Sequence, residues 1–210
     1  MTNWRQHWGD SGFRAQLLLT LPALVLVLYA LATFLAFVES RPGISLPDPL
    51  LALYPAKDVT WLTFGVIYLG LVAGLVNLLR FPAHLLLALQ SYIAMALFRI
   101  IAMYCVPLDP PQGMILLRDP LVEILGTGRV LTKDLFFSGH TATMVLLALT
   151  APQRRLRVAF LVLAACVAVL VLWQHVHYSI DVFVAPFVAY TAYRTAMLAH
   201  PSVDLSRGRK

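Results

Sequence analysis

Residues 15–38 read AQLLLTLPALVLVLYALATFLAFV, a run of 24 positions without a charge. At 1.5 Å per residue a helix of this length crosses the roughly 30 Å hydrocarbon core of a bilayer. Five more apolar stretches follow, at Val59 to Leu79, Ala83 to Val106, Leu135 to Ala151, Val158 to Trp173 and Tyr178 to Leu198. The six fill well over half of the 210 residues, and the whole chain is 60% apolar and only 12% charged. Ordinary soluble domains carry about a quarter charged residues, so a soluble monomer is excluded. No repeat, low-complexity tract or linker divides the chain. The expected fold is all-α: a polytopic membrane protein in which residues 1–210 form one bundle of six transmembrane helices.

The net charge of +6 would suggest nucleic acid in a soluble protein, but here the cations are counted by membrane face. With six crossings both termini share one face. That face carries Arg5, Arg14, Arg80, Arg154, Arg155, Arg157, Arg194, Arg207, Arg209 and Lys210 against Asp10 and Asp204. It is therefore the expected cytoplasmic face, and the basic surplus reports orientation and anionic lipid rather than nucleic acid. The first stretch lacks a small-residue cleavage site and exceeds the length of a signal's apolar core, so it is read as a permanent helix. Cys105 and Cys166 fall in different stretches and do not read as a disulfide framework.

Turns on the cytoplasmic side are short. On the other side the chain spends about 20 residues from Glu39 to Asp58 and more than 25 from Pro107 to Lys133, rich in proline. Ionisable groups at membrane depth carry a functional hypothesis by default. Here Arg99, Asp134, His140, His175, His177 and Asp181 all fall towards the outer ends of their helices, although they come from three distant segments.

His177-Tyr178-Ser179-Ile180-Asp181 places an imidazole and a carboxylate four residues apart, on one helical face. A carboxylate on one ring nitrogen fixes the tautomer and raises the basicity of the other, as a nucleophilic or general-base histidine requires. The blander reading is a polar pair at a helix end. Asp134 to Thr141 reads Asp-Leu-Phe-Phe-Ser-Gly-His-Thr: Ser138 is an expected N-cap, Gly139 allows close approach to the backbone, and the unpaired amides of the first turn suit a phosphate oxygen. His140 in that turn could shuttle a proton. By itself this segment reads equally as a capped helix with a surface histidine. Two histidines, a carboxylate, a helix N-terminus and Arg99 make an inventory for phosphoryl transfer that needs no metal or cofactor. Two histidines and a carboxylate are also a mononuclear iron set, but His175 and His177, two residues apart, cannot ligate from one helical face. Elsewhere His84 is read as snorkelling at the inner interface, His7 and His200 as belonging to polar tails, and Trp4, Trp8, Trp61 and Trp173 as aromatic belts.

Four blocks in order resemble the sphingomyelin synthases, within the wider type-2 phosphatidate phosphatase (lipid phosphate phosphatase) superfamily. Ser45-Leu46-Pro47-Asp48 resembles the family's proline-aspartate motif. Arg99 to Tyr104 followed by Pro107 is similar to its arginine and methionine motif, Asp134 to Thr141 to its Ser-Gly-His-Thr block, and His177 to Val182 with Ala185 to its last block. The resemblance runs from about Pro47 to Tyr190. It implies His177 as nucleophile, Asp181 orienting it and His140 as acid and base, with Arg99, Asp134, Ser138, Gly139, Tyr178 and Asp48 binding substrate or phosphate. It further implies transfer of phosphocholine or phosphoethanolamine from a phospholipid donor to a lipid alcohol such as ceramide or diacylglycerol. Thr132-Lys133 replaces the family's Cys-Gly, and Pro186 stands where a tyrosine is usual.

The phosphatases of the superfamily hold a phosphomonoester with a lysine and two arginines, a set missing here. Arg99 and Lys133 are the expected nearby cations, with Arg118 and Arg129 in the adjoining loop. That balance suits a singly charged diester, so head-group transfer or phospholipase C-like cleavage is expected at the exoplasmic face. A phosphatase and a non-enzymatic lipid-binding or transport protein are the alternatives, and a homo-oligomer stays open.

Overall fold

The computed structural model describes residues 4–118 and 131–198. Pro120, Arg129, His200, Asp204 and the terminal basic residues Arg207, Arg209 and Lys210 lie outside the described residues. The described chain is helical: α1 (Trp4–Gly9), α2 (Ser11–Ser40), a 3-10 turn (Leu51–Leu53), α3 (Thr60–Leu78), α4 (Pro82–Cys105), α5 (Gly139–Thr150), α6 (Arg154–Trp173) and α7 (Ser179–Leu198). Among the described residues α2, α3, α4 and α6 are long and apolar enough to span a membrane. The six-span expectation is met at that coarser level. The fourth and sixth expected spans fall short for different reasons: α5 has only 12 residues, and α7, with Asp181 and Arg194 in it, is less apolar.

Local chemistry sets the helix ends. Asp10 starts α2 by accepting the amide of Gly12 at 2.8 Å, and Pro82 opens α4 at a position where its missing N–H costs nothing. The start of α5 departs from expectation, at Gly139 instead of Leu135. Phe136 adopts φ of 85°, which breaks any helix there, and burial of Leu135 and Phe137 holds the extended approach in place.

The helices pack as α4 on α2 and α7, α5 on α6 and α7, and α3 on α6. Asp181, Ala185 and Ala189, each four residues on, share one face of α7 with Ala192, and all four are fully buried. Small side chains bring the α7 backbone close to its neighbours, as is usual where lipid supplies no driving force between helices. Met144, Phe137, Val167 and Val171 fill the centre.

Side chains clamp both ends of the bundle. At one, Trp4 Nε1 donates to Leu79 O at 2.7 Å and Arg157 Nε to Ala151 O at 2.8 Å. His84 is buried there, with Nδ1 2.9 Å from Thr150 O. It therefore satisfies an orphan carbonyl at the end of α5 instead of snorkelling, because a carbonyl left unpaired at this depth would cost more than the imidazole's desolvation. At the other end, Glu39 accepts the amides of Thr132 and Lys133 at 3.0 and 3.1 Å, and Arg41 donates to the carbonyls of Met103 and Tyr104. Ile44 N–H bonds Pro107 O at 2.9 Å, and Asp109 N–H bonds Ile44 O at 3.1 Å.

This last crossing needs Gly43, because a Cβ there would lie 2.5 to 2.8 Å from the backbone of Leu108 and Asp109. No side chain can move aside to make room. Gly43→Ala is expected to destabilise the fold by about 1–3 kcal/mol, as overpacking does, read as a lower thermal unfolding midpoint in detergent micelles.

Candidate functional site

The site begins with the first turn of α7. Asp181 is the third residue of the helix, and its Oδ2 reaches back to the N–H of Tyr178 at 3.2 Å, one half of a capping box. The same Oδ2 lies 3.1 Å from His177 Nδ1. A carboxylate accepts, so Nδ1 carries the hydrogen and Nε2 keeps its lone pair. His177 is 3% exposed and Asp181 fully buried, and Asp181 Oδ1 is buried without a hydrogen-bond partner among the described residues.

The start of α5 lies beside it. Ser138 has extended geometry and caps α5 through its Oγ, which accepts from Thr141 Oγ1 at 3.0 Å and Thr141 N at 3.4 Å. Its own N–H donates to Asp181 O at 3.1 Å. One backbone bond thus joins the turn that carries His140 to the turn that carries the His177–Asp181 pair. His140 is partly buried in the first turn of α5.

Arg99 comes from the C-terminal third of α4 and is 9% exposed. Its Nε and one terminal nitrogen approach Asp134 Oδ1 at 2.7 and 2.6 Å, and its plane lies 5.1 Å from the Phe137 ring centroid. The guanidinium covers Gly139, where any Cβ would collide with it. Gly139 was read as admitting a ligand to the backbone, and in the structure the group it admits is Arg99. Asp134 holds that cation.

Asp48 and Tyr178 are engaged elsewhere. Asp48 accepts from Ser179 N at 2.6 Å, Ser179 Oγ at 2.9 Å, Leu50 N at 3.0 Å and Leu51 N at 3.2 Å, which ties the α2–α3 loop to the N-terminus of α7. Partial burial raises its carboxyl pKa, but these donors outweigh it and hold the group below the usual 3.8. The Tyr178 hydroxyl donates to Asp109 O at 2.9 Å and accepts from Leu46 N at 3.2 Å. Lys133, expected beside the phosphate, instead pairs with Asp109 at 2.8 Å and donates to Arg41 O at 2.7 Å. The extended approach to α5 turns it towards the end of α2.

Two features left no mark in the sequence. Phe136 and His175, each two residues before a site segment, hold left-handed backbones, with φ of 85° and 56°. A non-glycine residue there costs on the order of 1–3 kcal/mol and persists only where its surroundings fix it. A pocket of about 860 Å³ also opens against Tyr178 and His175, walled mainly by residues 45–55. Among the described residues, no group of three or more His, Cys, Asp and Glu side chains could hold a metal ion.

Residues 133–198 match the family described as PAP2 superfamily C-terminal. The matched segment runs from the approach to α5 to the end of α7 and contains His140, His177 and Asp181; Arg99 and Asp48 precede it. The match supports the PAP2, or lipid phosphate phosphatase, superfamily and with it chemistry on phosphate esters. It does not single out the sphingomyelin synthases. No curated protein and no solved structure matches the chain.

Two outcomes follow from this geometry. In Gly139→Ala the new Cβ displaces the guanidinium from over the turn and disturbs its pair with Asp134, so binding of vanadate as an oxyanion probe falls about tenfold, a loss of about 1.4 kcal/mol, and the unfolding midpoint falls as well. The Asp48 pKa is lowered on folding, so its contribution to stability is present above the unfolded value of 3.8 and is lost as pH falls through the lowered folded value. Asp48→Asn should therefore lower the unfolding midpoint at pH 7, and this loss should shrink as pH falls below 3.8 and through the lowered folded value.

Proposed function

We propose that the chain is an integral membrane phosphotransferase that moves a phospholipid head group to a lipid alcohol through a phosphohistidine on His177. The reading rests chiefly on the buried His177–Asp181 pair, joined to the start of α5 through the bond from Ser138 N to Asp181 O. His177 Nε2 attacks phosphorus while Nδ1–H stays on Asp181, which stabilises the imidazolium character that develops. The N–P bond forms, the P–O bond to diacylglycerol breaks, and His140 protonates the leaving alkoxide. His140 then takes the proton of the acceptor hydroxyl, whose oxygen attacks phosphorus and restores His177. Arg99 and the first amides of α5 hold the non-bridging oxygens.

The charge balance favours a diester. Arg99 is already half neutralised by Asp134, and Lys133 is bound to Asp109. Such a site attracts a monoanion better than the dianion of a phosphatase substrate. Phosphocholine or phosphoethanolamine lipids are the proposed donors, and ceramide or diacylglycerol the acceptors. The basic count supports a cytoplasmic position for the end of the bundle that carries Trp4 and Leu79, and with it a site at the exoplasmic leaflet.

Purified protein incubated with head-group-labelled phosphatidylcholine or phosphatidylethanolamine should yield a new labelled lipid when ceramide or diacylglycerol is supplied. Only water-soluble label in all conditions would replace the transferase with a hydrolase. Phosphorus label should be trapped on the wild type as an acid-labile adduct and be absent from His177→Ala, and His140→Ala should lose about 10²–10⁴ in kcat. Unchanged turnover in His177→Ala would discard the mechanism.

A further inference from the structure

The loop between α2 and α3 carries an apolar surface that the chemistry above leaves unused. Between Arg41 and Lys57 lie 15 residues with a single charged side chain, Asp48. That carboxylate is taken up by Ser179, Leu50 and Leu51. The large apolar side chains of the loop face outward instead: Leu53 is 78% exposed, and Ile44, Leu46 and Leu50 are exposed with it. Trp61 and Leu62 carry this surface into the first turn of α3, Trp61 with 85% of its area free. Single exposed leucines are ordinary on a soluble surface, but a run of them with the only charge turned inward marks a contact. The far end of the loop docks on α6, where Lys57 N–H bonds Trp173 O at 3.0 Å and the Lys57 ammonium lies 5.5 Å from the Trp173 ring centroid.

The main chain of the loop points the same way. A solvated loop can leave its amides to water, whereas one seated against lipid has to meet them within the protein. Ile44 donates to Pro107 O at 2.9 Å and Leu46 to the Tyr178 hydroxyl at 3.2 Å. The five consecutive amides from Leu50 to Tyr54 all find acceptors within residues 48–51, the first two on the Asp48 carboxylate and the others on main-chain carbonyls. Pro42, Pro47, Pro49 and Pro55 have no N–H to place. The outward leucines therefore sit on a backbone whose polar groups are turned to the protein.

We infer that residues 42–56 are a membrane-seated loop, with Leu50 and Leu53 inserted at the boundary between head groups and acyl chains of the leaflet at this end of the bundle. An irregular loop does not enter the hydrocarbon core itself, and an element with one apolar face settles about 5–10 Å into this boundary. Trp61 and Trp173, one on either side, are the residue type that favours the same level. Continuity selects lipid over a second copy of the chain as the occupant, because the exposed flank of α3 that begins at Trp61 and Leu62 belongs to a helix long and apolar enough to span. Asp48 ties the loop to Ser179, two residues from His177, so contact with lipid extends to the segment that holds the imidazole. The inference does not depend on which phosphate ester the site handles.

A nitroxide at position 53, read by electron paramagnetic resonance, tests this. In a full chain carrying Cys105→Ser and Cys166→Ser, the two native thiols, Leu53→Cys is labelled and the protein is placed in dioleoylphosphatidylcholine vesicles. The ratio of collisions with oxygen to collisions with a water-soluble nickel chelate is expected to be about fivefold higher than at Gln153→Cys, in the polar turn between α5 and α6, as suits a side chain about 5–10 Å into the boundary. It should approach the ratio at Leu69→Cys, on the exposed flank of α3. A ratio within about twofold of that at position 153 overturns the inference. Shielding from both reagents, with dipolar broadening between labels, assigns the surface to a second copy of the chain and overturns it as well. Leu53→Trp in a chain that keeps both cysteines gives a second reading should the serine background not fold. Its added fluorescence should be quenched by brominated lipid and spared by iodide, and the reverse pattern overturns the inference.

Discussion

A single buried carboxylate organises this bundle. Asp181 is fully buried, and an isolated charge at that depth would be costly. Three features offset the cost: the positive end of the α7 dipole, the Tyr178 amide and the His177 imidazole. Its main-chain carbonyl meanwhile takes the amide of Ser138, so one residue fixes the start of α7, the orientation of an imidazole and the start of α5. Removing one partner of a buried charged pair typically costs about 3–5 kcal/mol. In this protein such a loss falls on the fold and on the site together. The alanines at 185, 189 and 192 belong to the same device, because the carboxylate can sit beneath α5 only if the backbones of the two helices approach closely.

Around that centre, cations are held in pairs. Arg99 lies on Asp134 and Phe137, and Lys133 lies on Asp109, so neither is a flexible side chain waiting for an anion. For Arg99 this is an advantage. A guanidinium fixed over Gly139 needs no reorganisation when charge develops on a nearby oxygen, and preorganisation of this kind accounts for much of electrostatic catalysis. Its cost is reduced net charge, on which the proposed preference for a singly charged diester rests.

The parts of this arrangement that were legible in the sequence are those set by local periodicity. The apolar stretches gave the long helices to within a few residues, the four-residue spacing of His177 and Asp181 gave their pairing, and Ser138 read as a cap because its hydroxyl meets a partner three residues on. The parts that were not legible depend on residues distant in the chain or on backbone geometry without a residue signature. Nothing in Phe136 announces φ of 85°, so α5 was expected to start four residues too early. The partners of Lys133, Asp48 and His84 lie 24 to 131 residues away, so a charged or polar residue at a helix end could be assigned to solvent or substrate when it is tied to another loop. Gly139 was legible as a point of close approach, while the identity of the approaching group required the fold.

In the proposed reaction the loops at this end also bear on the fate of the phosphorylated histidine, because water and a lipid alcohol would compete for it. Long loops usually admit solvent, but these are cross-linked. Asp48 is bonded to Ser179, Tyr178 to Leu46 and Asp109, Gln174 to Thr60 and Ile115, and Glu39 to Thr132 and Lys133. Several of these bonds tie loop residues to Gln174, Tyr178 and Ser179, all within three positions of His177, so the described parts of these loops are held against it. In the proposed reaction a cover held in this way would restrict water without having to close during each turnover. Exclusion of water favours an acceptor that arrives from the bilayer, where the exposed apolar flanks of α2, α4 and α7 face lipid, over one that arrives from the aqueous side.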